Sequence, residues 1–454
     1  MKKARAILCG VLAALMLAGC GGQQGGATME LKQYAVAQAV YPDYPRRPIE
    51  ADYYRDDGQW DDSAYEADYE KYVDGLQALG KGDEWVDTTA LTAFGGNTAA
   101  AIFTTQENTV YSPVSLYVAL SMLTELTDGE TKRQVMDLLG VTDSGTLREW
   151  TKTLWEQLYC DDGVNTLRLA NAAFLNETVQ FRQPALDTLA ESFYASSYRV
   201  PMGTTAANDT IGAWINEQTG GLLAAAANGI TTQADTLLKL YNTIYYKAGW
   251  MNCFLKENTS ADTFTAADGT GQTCDFMRRT VNGENYRRGR DYLAAQLAMN
   301  DGGCMTFILP DEGVSPETLL KREGFLTEIA EQDDYGKIHW SVPRFDASST
   351  VELEDALQAL GITDAFDADR ADLSPLTDDG AYVSNVTQAA RVKVDEQGVE
   401  AAAYTEIAIA RTALPPENLP VVEMNLNRPF LFVIWQGDVP LFIGTVQTLS
   451  LIHI

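Results

Sequence analysis

The segment Arg391-Val-Lys-Val-Asp-Glu-Gln-Gly-Val-Glu-Ala-Ala-Ala-Tyr-Thr-Glu-Ile-Ala-Ile-Ala-Arg-Thr412 carries a pattern that an ordinary surface loop has no reason to carry. It begins as a strand that stops at Gly398. From Val399 onward one parity is Val399, Ala401, Ala403, Thr405, Ile407 and Ile409, while the other carries Glu400, Tyr404 and Glu406. A pleated backbone turns alternate side chains to opposite faces, so every compact side chain shares one face. The segment is patterned for insertion into a sheet. Pro415, Pro416 and Pro420 follow at once, and proline cannot donate to a ladder, so the run is expected to end in an irregular, exposed connection.

Outward from this stretch the chain alternates helical and strand patterns. Ser112-Pro113 reads as a helix start, with serine as N-cap, proline at the first helical position and an apolar face through Leu116, Ala119, Leu120 and Leu123. A helix from Leu91 precedes it, and another runs from Gly129 to a stop at Gly140. Leu167 to Asn176, Leu240 to Trp250 and Met305 to Pro310 read as strands.

Three separated motifs resemble the serpin family, in the family's order. Asp395-Glu396-Gln397-Gly398-Val399-Glu400-Ala401-Ala402-Ala403 resembles the hinge of a reactive-centre loop. Asn108 to Leu116 followed by Ala119-Leu120-Ser121-Met122 resembles the strand-into-helix signature. Asn427-Arg428-Pro429-Phe430-Leu431-Phe432 with Leu441-Phe442-Ile443-Gly444 resembles the C-terminal signature. The resemblance implies an α+β serpin fold over residues 85–448, with three β-sheets, about eight to nine helices and an exposed reactive-centre loop.

It also implies a set of site residues. Glu396, Gly398, Val399, Ala401, Ala402 and Ala403 would form the hinge. Ser112, Ser115, Asn242, Trp250, Arg344 and Gln388 would surround the point where the central sheet opens, with Arg344 placed to pair with Glu396. Gln388 stands where animal serpins often have histidine, and Val399 replaces the more usual threonine or serine. Counting from Glu396 in the family's manner puts the scissile bond at Thr412-Ala413, which suits elastase-like proteases. A shift of one residue gives Arg411-Thr412 and a trypsin-like target. The loop after the hinge, Ala413 to Val421, is longer than in many relatives, which leaves both bonds open.

The N-terminus reads as processing signal rather than fold. Lys2, Lys3 and Arg5 precede an apolar run from Ile7 to Leu17 that is too short for a stable span. Leu17-Ala18-Gly19-Cys20 resembles a bacterial lipobox. Residues 1–19 are therefore expected to be a signal peptide, with lipidation at Cys20 holding the protein outside the cell at its surface, or in the extracellular space if released. Residues 20–84 form a tether rich in glycine and glutamine, then an acidic extension rich in tyrosine and aspartate. That extension is read as packed or loosely ordered, with binding of a partner or carbohydrate as the alternative. At the other end, Leu449-Ser-Leu-Ile-His-Ile454 matches the translation of a common transposon-end sequencing adapter, so residues 449–454 are expected not to belong to the natural protein.

Of 454 residues 46% are hydrophobic, enough for a sizeable core, and 33 basic against 63 acidic residues give a formal charge of −30. Such a surface argues against nucleic-acid binding. Beyond Cys9 and Cys20 lie Cys160, Cys253, Cys274 and Cys304. There is no Cys-x-x-Cys pair and few histidines, so no metal site or cofactor is expected. Export permits a disulfide, and Cys253 and Cys274 fall in neighbouring segments of the resemblance. With His339 and His453 as the only histidines and no Gly-x-Ser-x-Gly elbow, enzymatic catalysis is not expected. The preferred reading is a monomeric suicide inhibitor whose partners are a target serine protease and, through its lipid, the membrane. The alternative is a non-inhibitory surface protein of the same fold that binds a host or bacterial partner.

Overall fold

A computed structural model describes residues 31–55, 57–81, 86–331, 334–383, 386–399 and 419–449. Two sheets and, among the described residues, eleven α-helices make up the fold. The central sheet runs in the order Ala35–Ala37, Ala195–Val200, Thr166–Asn176, Leu238–Gly249, Gly398–Val399, Thr387–Val394 and Phe345–Glu352, with Cys160–Asp161 beside Thr166–Asn176.

The long strand Thr166–Asn176 shows why this sheet lies inside the molecule. Ala170, Ala172 and Phe174 face one way and pack with Ile211 and Trp214 of the helix Thr205–Gln218. Leu167, Leu169, Ala173 and Leu175 face the other way, into the main core. Both parities are apolar, so helices must cover both faces. Beneath it lies the helix Pro113–Leu126, in which Ser112 Oγ accepts from Ser115 N at 3.3 Å and Pro113 sits at the first turn. This helix is buried on nearly every side rather than along one stripe, because sheet and helices enclose it. The helix Gly129–Leu139 ends at Gly140, which takes the left-handed conformation with φ 71°.

The second sheet has nine strands, running from Val421–Asn425 through Asp334–Pro343, Gly271–Gly289, Tyr292–Ala298, Cys304–Pro310, Phe430–Gln436 and Val439–Val446 to Thr109–Tyr111, with Thr259–Thr265 beside Gly271–Gly289. Gly271–Gly289 is 19 residues long. It pairs along most of its length with Asp334–Pro343 and at its far end with Tyr292–Ala298. That continuous ladder joins what sequence reading divides into two sheets. The larger helix number has a similar origin: segments of five or six residues such as Pro316–Leu320, Phe325–Ala330 and Glu354–Ala359 form short helices.

The extension is packed against the body. Ala35–Ala37 adds antiparallel to the edge strand Ala195–Val200, and Arg199 N donates to Tyr34 O at 2.7 Å. The Tyr41 ring lies 5.3 Å from that of Trp155, and Tyr44 meets Tyr159 edge-on. Covering that edge satisfies backbone groups otherwise open to another chain. No helix among the described residues is long and apolar enough to cross a membrane.

Candidate functional site

The site lies in the central sheet between Leu238–Gly249 and Thr387–Val394. Thr387–Val394 pairs residue for residue with Phe345–Glu352 on one side. Its other neighbour is the two-residue strand Gly398–Val399, which in turn pairs with Leu238–Gly249 through Gly398 with Gly249 and Val399 with Ala248. Beyond those two residues, Leu238–Gly249 and Thr387–Val394 share no ladder among the described residues.

The strand predicted to stop at Gly398 stops at Val394. Asp395 accepts from Gln397 N at 2.8 Å through its side chain, and Asp395 N donates to Gly398 O at 3.1 Å, so an Asx turn reverses the chain. Gly398 is thus the first residue of a new strand, pressed against its neighbour. A side chain there would collide with the Ala248 carbonyl and lie 2.7 Å from Gly249 Cα. Val399 is 2% exposed, so its side chain faces inward.

Four residues hold this turn. Arg344 Nε lies 3.0 Å from both carboxylate oxygens of Glu396, and its Nη2 bonds the same group. Thr259 Oγ1 donates to Glu396 at 2.8 Å, and Phe254 N donates to Glu396 O at 3.0 Å. Glu396 is only 3% exposed. Burial pushes its carboxyl up, but the hydrogen bonds from Arg344 and Thr259 outweigh burial and leave it below the ordinary glutamate value. Trp250 is the fourth: its indole N–H donates to Asp395 O at 2.9 Å and its backbone N–H to Gln397 O at 2.8 Å. Its ring is also fully buried against Phe254.

Lower in the sheet, the start of the helix Pro113–Leu126 reaches both strands that part. Ser112 N donates to Gln388 Oε1 at 2.7 Å, and Gln388 Nε2 donates back to Ser112 O at 3.1 Å, which ties the helix to Thr387–Val394. Ser115 Oγ bonds Asn242, which ties it to Leu238–Gly249. Asn242 bonds Asn171, whose amide donates to Phe193 O at 2.6 Å. Sequence reading missed Asn171 and Thr259, and it named Asp395 in the hinge motif without the turn it makes. An asparagine within the apolar run Leu-Arg-Leu-Ala-Asn-Ala-Ala-Phe-Leu is the one local signal that marks Asn171.

The structure therefore brings Glu396, Gly398, Val399, Arg344 and Trp250 together at one level, and Ser112, Ser115, Asn242 and Gln388 at another. Ala401, Ala402, Ala403, Arg411, Thr412, Ala413 and Cys20 lie outside the described residues. Cys253 and Cys274 are not joined by a disulfide, so the candidate pairing is not formed. Cys253 Sγ is directed at Trp250 O and Gln397 O, at 3.9 and 3.8 Å, while Cys274 sits opposite Asp262 in its own ladder.

A family model described as serpin, serine protease inhibitor, matches residues 89–449. The chain belongs to the serpin family. It is 30% identical to Serpin-Z2B of Triticum aestivum over 381 residues, covering 78% of this chain and 94% of that one. To Serpin B4 of Homo sapiens it is 30% identical over 362 residues, covering 73% of this chain and 90% of that one. The solved structure of the thermophilic serpin tengpin in its native state superposes with a TM-score of 0.72 at 25% identity, covering 81% of this chain and 96% of that chain. Human thyroxine-binding globulin, solved with its hormone, shares the fold at 22% identity with a TM-score of 0.69, over 79% of this chain and all of that one. Serpins are typically protease inhibitors rather than enzymes.

Proposed function

We propose that this serpin is a suicide inhibitor of serine proteases outside the cell. The observation that carries the reading is the strand Gly398–Val399, already seated between two strands that otherwise share no ladder among the described residues. A protease that attacks the loop becomes an acyl-enzyme: its serine oxygen bonds to the carbonyl of the residue before the cut, and the new amine leaves with the downstream segment. The upstream segment is then free to continue the strand begun at Val399. Each residue added trades solvated backbone groups for ladder hydrogen bonds on both sides, typically about 1 kcal/mol net apiece. The compact parity of Val399, Ala401, Ala403, Thr405, Ile407 and Ile409 lets the inward face close over the helix without burying charge.

The polar contacts of Ser112, Ser115, Asn242 and Gln388 suit strands that must part. Hydrogen bonds exchange partners at little net cost, whereas interlocked apolar side chains would have to be unpacked. Arg344 and Trp250 keep the upper turn fixed while the rest of the segment moves. The favoured bond is Thr412-Ala413, with Arg411-Thr412 second, and lipidation at Cys20 would hold the inhibitor at a bacterial cell surface.

Incubation with neutrophil elastase and with trypsin, followed by denaturing gels and mass analysis of the released peptide, tests this directly. A denaturant-stable complex with a peptide starting at Ala413 is expected from elastase. A peptide starting at Thr412 moves the target to trypsin-like enzymes. Clean cleavage without complex across a wider protease panel defeats the inhibitory reading. Metabolic labelling with a fatty acid, lost on Cys20→Ala, tests the anchor.

A further inference from the structure

A cover crosses the outer face of the central sheet: the helix Thr205–Gln218, the turn after it and the short helix Ala224–Asn228. It is fastened by apolar packing to the strands on one side of the site. Ile211, Trp214 and Leu223 are buried with Ala172 and Phe174 of Thr166–Asn176 and with Tyr198 of Ala195–Val200. The Trp214 ring lies 6.4 Å from that of Tyr241 on Leu238–Gly249. The turn rests on the same strand, because Gly220 packs on the Tyr245 ring.

On the other side of the site the fastening is different in kind. Arg391 of Thr387–Val394 has the parity opposite to Ala390 and Val392, which are buried in the main core, so it faces the cover. Its Nε and Nη2 donate to the two carboxylate oxygens of Asp346, on the neighbouring strand Phe345–Glu352, at 2.7 and 2.6 Å. Its Nη1 donates to Leu222 O, in the turn of the cover, at 3.1 Å. The guanidinium fork is planar, so two bonds to one carboxylate fix the direction of the third. Ala389, half-buried against the cover, adds one methyl group on this side.

The cover therefore spans the line along which a strand would enter. Neighbouring strands stand about 4.8 Å apart, so admitting one between Leu238–Gly249 and Thr387–Val394 moves the two sides relative to each other by about that distance. A hydrogen bond of 3.1 Å cannot stretch across such a shift. Apolar packing keeps the cover on the side of Leu238–Gly249, so the bond from Arg391 is the one that must break. We propose that Arg391 is a bolt across this line: a positioning residue that holds the cover to Thr387–Val394 and sets the rate at which a strand enters the sheet. The proposal rests on the inhibitory reading, in which the cleaved segment is that strand. In the uncleaved protein the same bolt delays entry by any other strand.

The test needs no protease. The purified full chain is incubated with a fluorescent synthetic peptide of residues 400–410, and its uptake is followed with time on native gels. Arg391→Gln is expected to take up the peptide about tenfold faster than the parent, the size of one hydrogen bond to a charged group. Asp346→Ala, which leaves Arg391 in place but without its anchor, should give a smaller increase. Hydrogen exchange gives a second readout, since Gly221, Leu222 and Ala224 N–H groups are bonded within the turn, to Asn216, Thr219 and Gly221 carbonyls. In Arg391→Gln exchange should quicken at these amides and not across the second sheet. Uptake changed less than about twofold by Arg391→Gln, or exchange quickened evenly over the molecule, would overturn the bolt while leaving the inhibitory reading intact. Uptake by neither protein would defeat the inhibitory reading and the bolt with it.

Discussion

The two sheets of this protein are built for opposite purposes. In the second sheet, Phe430–Gln436 and Val439–Val446 form a nearly continuous antiparallel ladder, and almost every residue of both strands is buried. Phe432 fills the space that Gly444 leaves open on the facing strand. In the central sheet, the strands flanking Gly398–Val399 lack a common ladder among the described residues, and their interior carries Ser112, Ser115, Asn171, Asn242 and Gln388. Apolar interlocking makes one sheet permanent. The other is held at its parting strands by exchangeable polar contacts, as the proposed strand insertion requires.

Damage to the permanent sheet should cost most. Phe432→Ala is expected to destabilise the protein by about 3–5 kcal/mol, read from urea or guanidinium unfolding, because the side chain is fully buried and its neighbours cannot collapse into the space. A loss below about 1 kcal/mol would show that this sheet also yields.

In the central sheet the largest effect should come from Arg344→Ala. It strands the Glu396 carboxylate, 3% exposed, without its cation, and a cost of about 2–4 kcal/mol is expected, together with faster hydrogen exchange confined to the segment Asp395 to Val399. Exchange spread evenly over the molecule would mean that the pair is a general brace, not a hold on the turn. Gly398→Ala acts on the same turn by steric means. Its methyl group collides with the Ala248 carbonyl, so the two-residue strand should leave the sheet and the yield of protease complex should fall at least severalfold on gels.

Asn242→Ala should be milder, about 1–2 kcal/mol, since it cuts the chain from Ser115 to Asn171 but leaves the Ser112 to Gln388 link in place. The smallest effect is that of pH. The Glu396 carboxyl is held below its ordinary value, so its contribution is fully present above that value and drains away as pH falls through the lower folded one. Thermal midpoints measured from pH 6 to pH 3 should show an extra acid-side loss in the parent that Arg344→Ala lacks. Parallel curves would remove the ion pair from the account.

Local rules explain what was readable beforehand. Ser112-Pro113 acts within one helical turn and Gly140 within one residue, so each is legible without neighbours. The pairing of Arg344 with Glu396 came from resemblance, and the structure places the two in contact. The reversal at Asp395 was missed because an Asx turn and a continuing strand use the same residues, and only the approach of Gly249 and Ala248 selects the turn. Asn171 was missed because its partner Asn242 comes from a distant part of the chain.

The sequence by itself determined the helix starts and stops and the order of the three motifs, because these depend on residues a few positions apart, and the resemblance those motifs carry supplied the fold class. Only the tertiary structure decided that the sheets merge along Gly271–Gly289, that one helix start holds both parting strands, and that Ala35–Ala37 of the extension covers the edge strand Ala195–Val200. Those features arise where distant segments meet, and burial there sets which polar groups find partners and which do not.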